Sequence, residues 1–287
     1  MKGTDFSFFE KPPDRHRRRE IEAYLARTYP VLAREEIGKS CLGEPLVVYR
    51  FGEGERAILY VGAHHGMEWI TALLLYRLIG DLSLSHTRRG VGDLLSDKRL
   101  YILPILNPDG VDISLRATQK EAKTKFIRWQ ANARGVDLNH NYEAGFAAYK
   151  EIERANGIHP GPTRYSGAHP FSEPETQAMK RLLEAISPAL TLSLHTQGEE
   201  IFYTPTDPPV RGVRRIGETL ARILSYRLGQ AAGYAAYGGL SDYIAEVLRL
   251  PAYTLECGRG RNPLPIERGR EIYPSLRRAL LLALTLI

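Results

Sequence analysis

The sequence predicts an α/β protein, a sheet of buried strands with helices packed on both faces. Three observations carry that expectation. Short apolar runs such as Ala57–Gly62 and Ala252–Glu256 alternate along the chain with longer helical patterns such as Trp69–Leu82 and Ser172–Ile186. Gly, Pro and Asn punctuate the joins between them. The 287 residues, 43% hydrophobic and 25% charged, are enough to bury a substantial core without disulfides.

The elements follow in order. Residues 17–28 read as a helix, within an N-terminal helical lead-in over residues 1–35. Its opening cluster, Arg15-His16-Arg17-Arg18-Arg19, reads as a solvated face, because no aromatic residues interleave it as nucleic-acid binding would require. Leu46–Phe51 and Ala57–Gly62 read as strands joined by the turn Gly52-Glu53-Gly54-Glu55. Trp69–Leu82 is an apolar helix with Thr71 and Arg77 on its rim. Arg99–Leu106 is a strand that Asn107-Pro108-Asp109-Gly110 breaks with a turn. Ser172–Ile186 is a helix with Ser172 as candidate cap and Pro174 near its first turn. Leu190–Leu194 and Glu200–Thr204 are short strands, Val210–Leu228 and Leu240–Leu250 helices, and Ala252–Glu256 a strand. Pro265–Ile287 contains a closing helix.

Composition excludes several classes. The net charge of +6 is modest and dispersed, which argues against a nucleic-acid partner but suits an anionic substrate. Cys41 and Cys257 make no disulfide framework. No run approaches the ~20 apolar residues of a membrane span, and the N-terminus lacks an apolar core of signal-peptide length. The chain as it stands therefore reads as cytoplasmic, with secretion open if an export signal preceded it.

The chemistry gathers at strand ends. His65 and Glu68 follow the Ala57–Gly62 run three residues apart, on one face of a helical turn, and His195 follows the Leu190–Leu194 run. Two imidazoles and a carboxylate suit zinc, and three protein ligands leave a fourth position for water, the mark of a catalytic rather than a structural site. Open α/β sheets place ligands at the carboxyl ends of strands, where His65, Asn107, His195 and Glu256 all fall. His64, beside a ligand but on the other side of the chain, reads as a packing residue.

The full set resembles the zinc carboxypeptidases of the carboxypeptidase A type. The motifs run in the family's order from Ser40 to about Pro265: His-x-x-Glu-Trp-Ile, Asn-Pro-Asp-Gly, Gly-Val-Asp-Leu-Asn, a lone His 127 residues after Glu68, Tyr-x-x-x-Gly-Gly, and the late Glu256. Gly-x-His-His-Gly-x-Glu-Trp-Ile, His-Thr-Gln-Gly-Glu-Glu and Glu-Cys-Gly-Arg-Gly look like the bacterial γ-D-glutamyl-meso-diaminopimelate peptidase branch. The resemblance implies one catalytic domain over residues 1–287, built on a mixed, mostly parallel twisted sheet of about eight strands. It implies one zinc ion held by His65, Glu68 and His195, and Glu256 as general base. By the same resemblance Asp137 orients His65, Asn139 binds a substrate carboxylate, and Tyr234 closes over substrate, with Tyr237 as its competitor.

Two departures bear on substrate. His140 stands where digestive members carry the arginine that clamps a terminal carboxylate, and imidazole cannot form that fork. Gln130 stands where many members carry an oxyanion-stabilising arginine, leaving Gln130, Arg128 or Arg134 to act there. The substrate implied is a short cell-wall muropeptide cut at the γ-D-glutamyl–diaminopimelate bond. The alternatives are an ordinary metallocarboxypeptidase, a zinc deacylase of aspartoacylase type, and a module that binds wall peptide without cutting it. Retention of Glu256 argues against the last.

Overall fold

The computed structural model describes residues 7–85, 90–119, 128–230, 232, 233 and 236–287. Eight strands form one sheet: β1 (Ala33–Lys39), β2 (Pro45–Phe51), β3 (Arg56–Val61), β4 (Lys98–Leu103), β5 (Leu190–His195), β6 (Glu200–Phe202), β7 (Arg227–Gly229) and β8 (Ala252–Glu256). The order across it is β1-β2-β4-β3-β5-β8-β6-β7. The central four, β4-β3-β5-β8, are parallel, as are β6 and β7, while β1, β2 and β6 join by antiparallel pairings. The mixed, mostly parallel architecture with about eight strands is thus observed.

Side-chain alternation explains why these central strands are apolar throughout. In β3, Ile58 and Tyr60 point into one core and Ala57, Leu59 and Val61 into the other. The first core packs α1 (Arg15–Thr28), α2 (Ile70–Ser85), α7 (Val213–Leu224) and α9 (Arg268–Ala283) on one face. Tyr60 extends through that layer and donates to Leu280 O on α9 at 2.6 Å. The second core packs α6 (Pro174–Ile186) and the stretch around α8 (Leu240–Asp242) on the opposite face. Helix α2 is buried on almost every side, which is why it reads as continuously apolar. Each fully buried Leu there contributes roughly 2 kcal/mol of transfer free energy. The remaining helices are α3 (Val91–Leu94), α4 (Pro108–Gln119) and α5 (Phe146–Asn156). Among the described residues no helix is long and apolar enough to cross a membrane.

Several expectations are corrected. The basic cluster of α1 is solvated only in part: His16 and Arg19 are exposed, whereas Arg17 and Arg18 are buried. Arg18 is 6% exposed, and its guanidinium grips Asp112 at 2.7 and 3.1 Å and Glu44 at 3.1 Å. Arg17 is equally buried, on Glu20 and the carbonyl of Ser7. The lead-in over residues 1–35 is not wholly helical, since edge strand β1 begins at Ala33. Asn107-Pro108-Asp109-Gly110 starts helix α4 rather than forming a bare turn, with Asn107 Oδ1 accepting from Gly110 N at 2.9 Å. Glu173, not Ser172, is the N-cap of α6, with Pro174 at the first helical position. The Val210–Leu228 pattern resolves into α7 and edge strand β7. The Leu240–Leu250 pattern resolves into α8 and a π-helical turn, Tyr243–Val247. β2 and β3 lie on opposite sides of β4 rather than side by side.

Candidate metal centre and active-site cleft

The chain from β3 crosses to β4 on one side and reaches β5 on the other, so the crevice between the carboxyl ends of β3 and β5 is the switch point of the sheet. His65 leaves that end of β3 and caps a 3-10 turn, Gly66–Glu68, that aims His65 and Glu68 the same way. Gly66 is required there, since a Cβ would lie 2.2 Å from the carbonyl oxygen of Gly110. Gly66 N and Met67 N donate to the carbonyls of Gln130 and Trp129. Thr71 ties the turn to the strand, accepting from Ala63 N at 2.9 Å and donating to Glu68 O at 2.8 Å. Asn107 braces the other side, its amide within 3.0 Å of His64 O.

Three ligating side chains converge. His65 Nδ1 lies 2.9 Å from Glu68 Oε1, His195 Nδ1 lies 3.0 Å from Glu68 Oε2, and the two Nδ1 atoms are 3.3 Å apart. Bonds of about 2.0–2.1 Å to a central ion place tetrahedral ligands at about that separation. The outer nitrogens are both engaged: His65 Nε2 with Asp137 Oδ1 at 3.1 Å and His195 Nε2 with Ser193 Oγ at 3.2 Å. With those nitrogens donating, two lone pairs face one another beside a buried carboxylate. Such an arrangement calls for a cation. The donor set is that of zinc with an open position.

The electrostatics agree. Burial pushes the Glu68 carboxyl up, but the imidazoles of His65 and His195 outweigh it and bring it to about 2. Burial opposes charge on His65 as well, yet Glu68 and Asp137 together raise that imidazole well above its ordinary value. His64 is driven the other way by burial and then by His195 and His65, and stays neutral. Its nitrogens contact Tyr142 OH and Ser193 Oγ, and its ring stacks on His195 with centroids 5.4 Å apart, as a packing residue would.

A cleft of about 410 Å³ opens over this cluster, lined by Glu256, Asp137, Asn139, His140 and Gln130 among others. Glu256 ends β8 in register with His195. Burial and then the charge of Glu68 raise its carboxyl to about 8. Its alternative partner, Arg259, pairs instead with Glu199 at 2.6 Å. Asn139 Oδ1 accepts from Leu240 N at 3.1 Å, which turns the amide's N–H donors toward the cleft. His140 is held by Tyr237 O at 2.9 Å and stacks on Tyr149 with ring centroids 4.0 Å apart. Gln130 Oε1 accepts from Thr163 Oγ1. Arg134 does not reach the cleft. It is exposed and lies 3.6 Å from Glu173, which corrects its assignment to substrate. Tyr234 lies outside the described residues. Tyr237 lines a side pocket of about 210 Å³ that shares Asn139, Phe202 and Thr254 with the cleft.

Cys41, Glu173 and Glu175 also stand within ligating distance of one another. All four carboxylate oxygens there already accept hydrogen bonds, from Ser172, Asn132 and the Cys41 backbone and thiol. The sequence reading missed Thr163, Arg164, Gln197, Glu200 and Asn262, which also line the cleft. Glu200 and Gln197 fall inside the quoted His-Thr-Gln-Gly-Glu-Glu motif, whereas nothing in the sequence around Thr163 and Arg164 points to them.

The sequence profile of the family described as Zinc carboxypeptidase matches residues 20–275. The chain belongs to that family. This zinc carboxypeptidase relative is 32% identical over 270 residues to a γ-D-glutamyl-L-diamino acid endopeptidase 1 of Lysinibacillus sphaericus, covering 87% of this chain and 66% of that protein. It is 29% identical over 228 residues to murein peptide amidase A of Escherichia coli K12, covering 77% of this chain and 80% of that one. Bovine thrombin-activatable fibrinolysis inhibitor, in complex with a tick carboxypeptidase inhibitor, superposes with a TM-score of 0.77 at 20% identity, over 97% of this chain and 98% of that chain. Fold and metal cluster together make the protein a zinc-dependent metallopeptidase of this family.

Proposed function

We propose that the protein hydrolyses short cell-wall peptides at the γ-D-glutamyl–diaminopimelate bond. His65, Glu68 and His195 hold the zinc, which when bound polarises the scissile carbonyl and acidifies water to a pKa of about 7. Glu256 takes the proton of the attacking water and delivers it to the leaving amine. Burial serves this role, since a carboxylate of ordinary acidity would be too weak a base to take the proton from water efficiently. Asp137 fixes the ring of His65. Asn139 offers its amide to a carboxylate of the leaving residue.

The observation that carries the substrate assignment is the side pocket. Its walls include Asp242, Glu246, Ser241, Thr204 and Thr254, and no basic residue lines it among the described residues. Asp242 is hydrogen-bonded to Thr204 and Gly239 N and Ser241 to Thr254, so Glu246 is the group that an apolar side chain would cut off from water. A residue whose far end carries an amine, as diaminopimelate does, would meet carboxylates and hydroxyls. His140 in place of an arginine removes the fork that reads an ordinary peptide terminus, and one relative is named a γ-D-glutamyl-L-diamino acid endopeptidase and another a murein peptide amidase.

The deciding experiment incubates zinc-loaded protein with the tripeptide L-Ala-γ-D-Glu-meso-diaminopimelate and with peptides ending in Leu or Lys. Release of diaminopimelate is expected. Cleavage of the Leu or Lys peptides without the tripeptide would assign an ordinary metallocarboxypeptidase instead.

A further inference from the structure

Positive charge on the cleft walls is concentrated at one place. Arg164 is the one lysine or arginine among the described residues lining the cleft. Gln130 is neutral and its amide oxygen is engaged by Thr163, while Arg134 is turned to Glu173.

The backbone of Arg164 is fixed from both sides. Its φ is +70°, in the left-handed region that side chains rarely occupy. Its N–H donates to Asp137 Oδ2 at 3.0 Å and its carbonyl accepts from Tyr149 OH at 3.0 Å. Asp137 in turn binds His65, so Arg164 is registered to a metal ligand through one shared carboxylate. A strained conformation persists where surrounding bonds over-determine it, and such outliers gather at ligand clamps. Arg164 does not line the side pocket assigned above to the leaving residue. It therefore serves the other arm of the cleft, where the residue before the scissile bond lies.

We propose that Arg164 determines specificity on the acyl side, binding a carboxylate carried by the residue that precedes the cut bond. The inference rests on the reaction proposed above, and it adds a chemical reason for it. In a γ-linked glutamyl residue the chain continues through the side-chain carbonyl, so the α-carboxylate is left free close to the scissile bond. A planar guanidinium matches that carboxylate with two parallel hydrogen bonds. An ordinary α-linked residue presents no such group unless its side chain is acidic.

The test is calorimetric titration of the zinc-loaded full chain with L-Ala-D-Glu and with L-Ala-D-isoglutamine, whose α-carboxylate is an amide. Wild type is expected to bind the acid about ten- to a hundredfold tighter than the amide. Arg164→Gln erases that preference at unchanged zinc content, and Arg164→Lys restores part of it by keeping the charge without the fork. For any peptide that is turned over, Arg164→Gln raises KM for the acid form and leaves kcat nearly unchanged. Equal binding of acid and amide by wild type, no binding of either, or a preference that survives Arg164→Gln would each overturn the proposal. If the tripeptide is not cut while the acid preference holds, the scissile-bond assignment falls and the role of Arg164 stands. If it is cut without that preference, the reverse is true.

Discussion

Replacing Asp137 by asparagine probes how much of the metal site is built by a group that never touches the metal. The substitution keeps the shape of the side chain and removes its charge. Asp137 is 2% exposed and accepts three hydrogen bonds, from His65 Nε2 at 3.1 Å, Asn139 N at 3.2 Å and Arg164 N at 3.0 Å. Burial alone would raise its carboxyl. The neighbouring His65 and these donors outweigh burial and hold it well below the usual carboxylate range. An amide has one oxygen for donors that approach from both sides, so its NH2 must face an N–H. His65 then loses the negative charge that makes Nδ1 a better donor to zinc, or it loses its orientation. Losing such a partner weakens metal binding by about 10–100-fold, or about 1.4–2.7 kcal/mol. Competition for zinc against a chromophoric chelator measures it, with thermal melts of the metal-free proteins confirming the fold. If Asp137→Asn held zinc within twofold of wild type, the claim that this carboxylate organises His65 would be wrong.

Other expectations follow from the same geometry. Glu256→Gln should abolish turnover while zinc content stays unchanged, and hydrolysis persisting at a tenth of the wild-type rate would remove Glu256 from the reaction. Because folding raises the Glu256 carboxyl from 4.5 to about 8, the metal-free native state binds a proton that the unfolded chain releases. The stability this confers is present below pH 4.5 and declines as pH rises toward 8. Metal-free Glu256→Gln should therefore gain thermal stability over wild type at pH 8.5 and not at pH 4, and identical shifts at both would refute the sign. Gly66→Ala forces a Cβ to within 2.2 Å of Gly110 O, so the turn must move and zinc occupancy must fall. Full occupancy in metal analysis would show the turn to be more pliant than its packing implies. Asp112→Ala removes two charge-assisted hydrogen bonds from the buried Arg18 guanidinium and leaves it Glu44, which should cost about 1.5–3 kcal/mol in urea denaturation.

Legibility tracked the range of the interactions. The central strands and α2 were plain because both faces of each are apolar, and that signal is local. The edge strands were not. β1 reads Ala-Arg-Glu-Glu-Ile-Gly-Lys and owes its extension to pairing with β2, while β7 is three residues long. Arg17 and Arg18 look solvent-facing until folding brings in Asp112, 94 residues from Arg18. Arg134 and Arg164 were indistinguishable as sequence. What separates them is a tertiary choice, one pairing with Glu173 and the other having its backbone pinned to Asp137.

The metal ligands themselves were legible as residue types, but their orientation belongs to the fold. Each ring must present Nδ1 inward, and the two rings are held by different means. His65 Nε2–H is fixed by the Asp137 carboxylate. His195 Nε2–H meets only a neutral hydroxyl, Ser193, whose own O–H can donate to His64 Nδ1, with His64 Nε2–H turned to Tyr142 OH. His64 itself is uncharged, which burial first and then His195 and His65 ensure. A protonated His64 would donate to Ser193 Oγ instead of accepting from it, which reverses that hydrogen bond while Ser193 still accepts from His195. His64 therefore meets the site through the hydroxyl it shares with His195 and through ring stacking on that ligand, which places a fully buried imidazole beside the metal position without touching it.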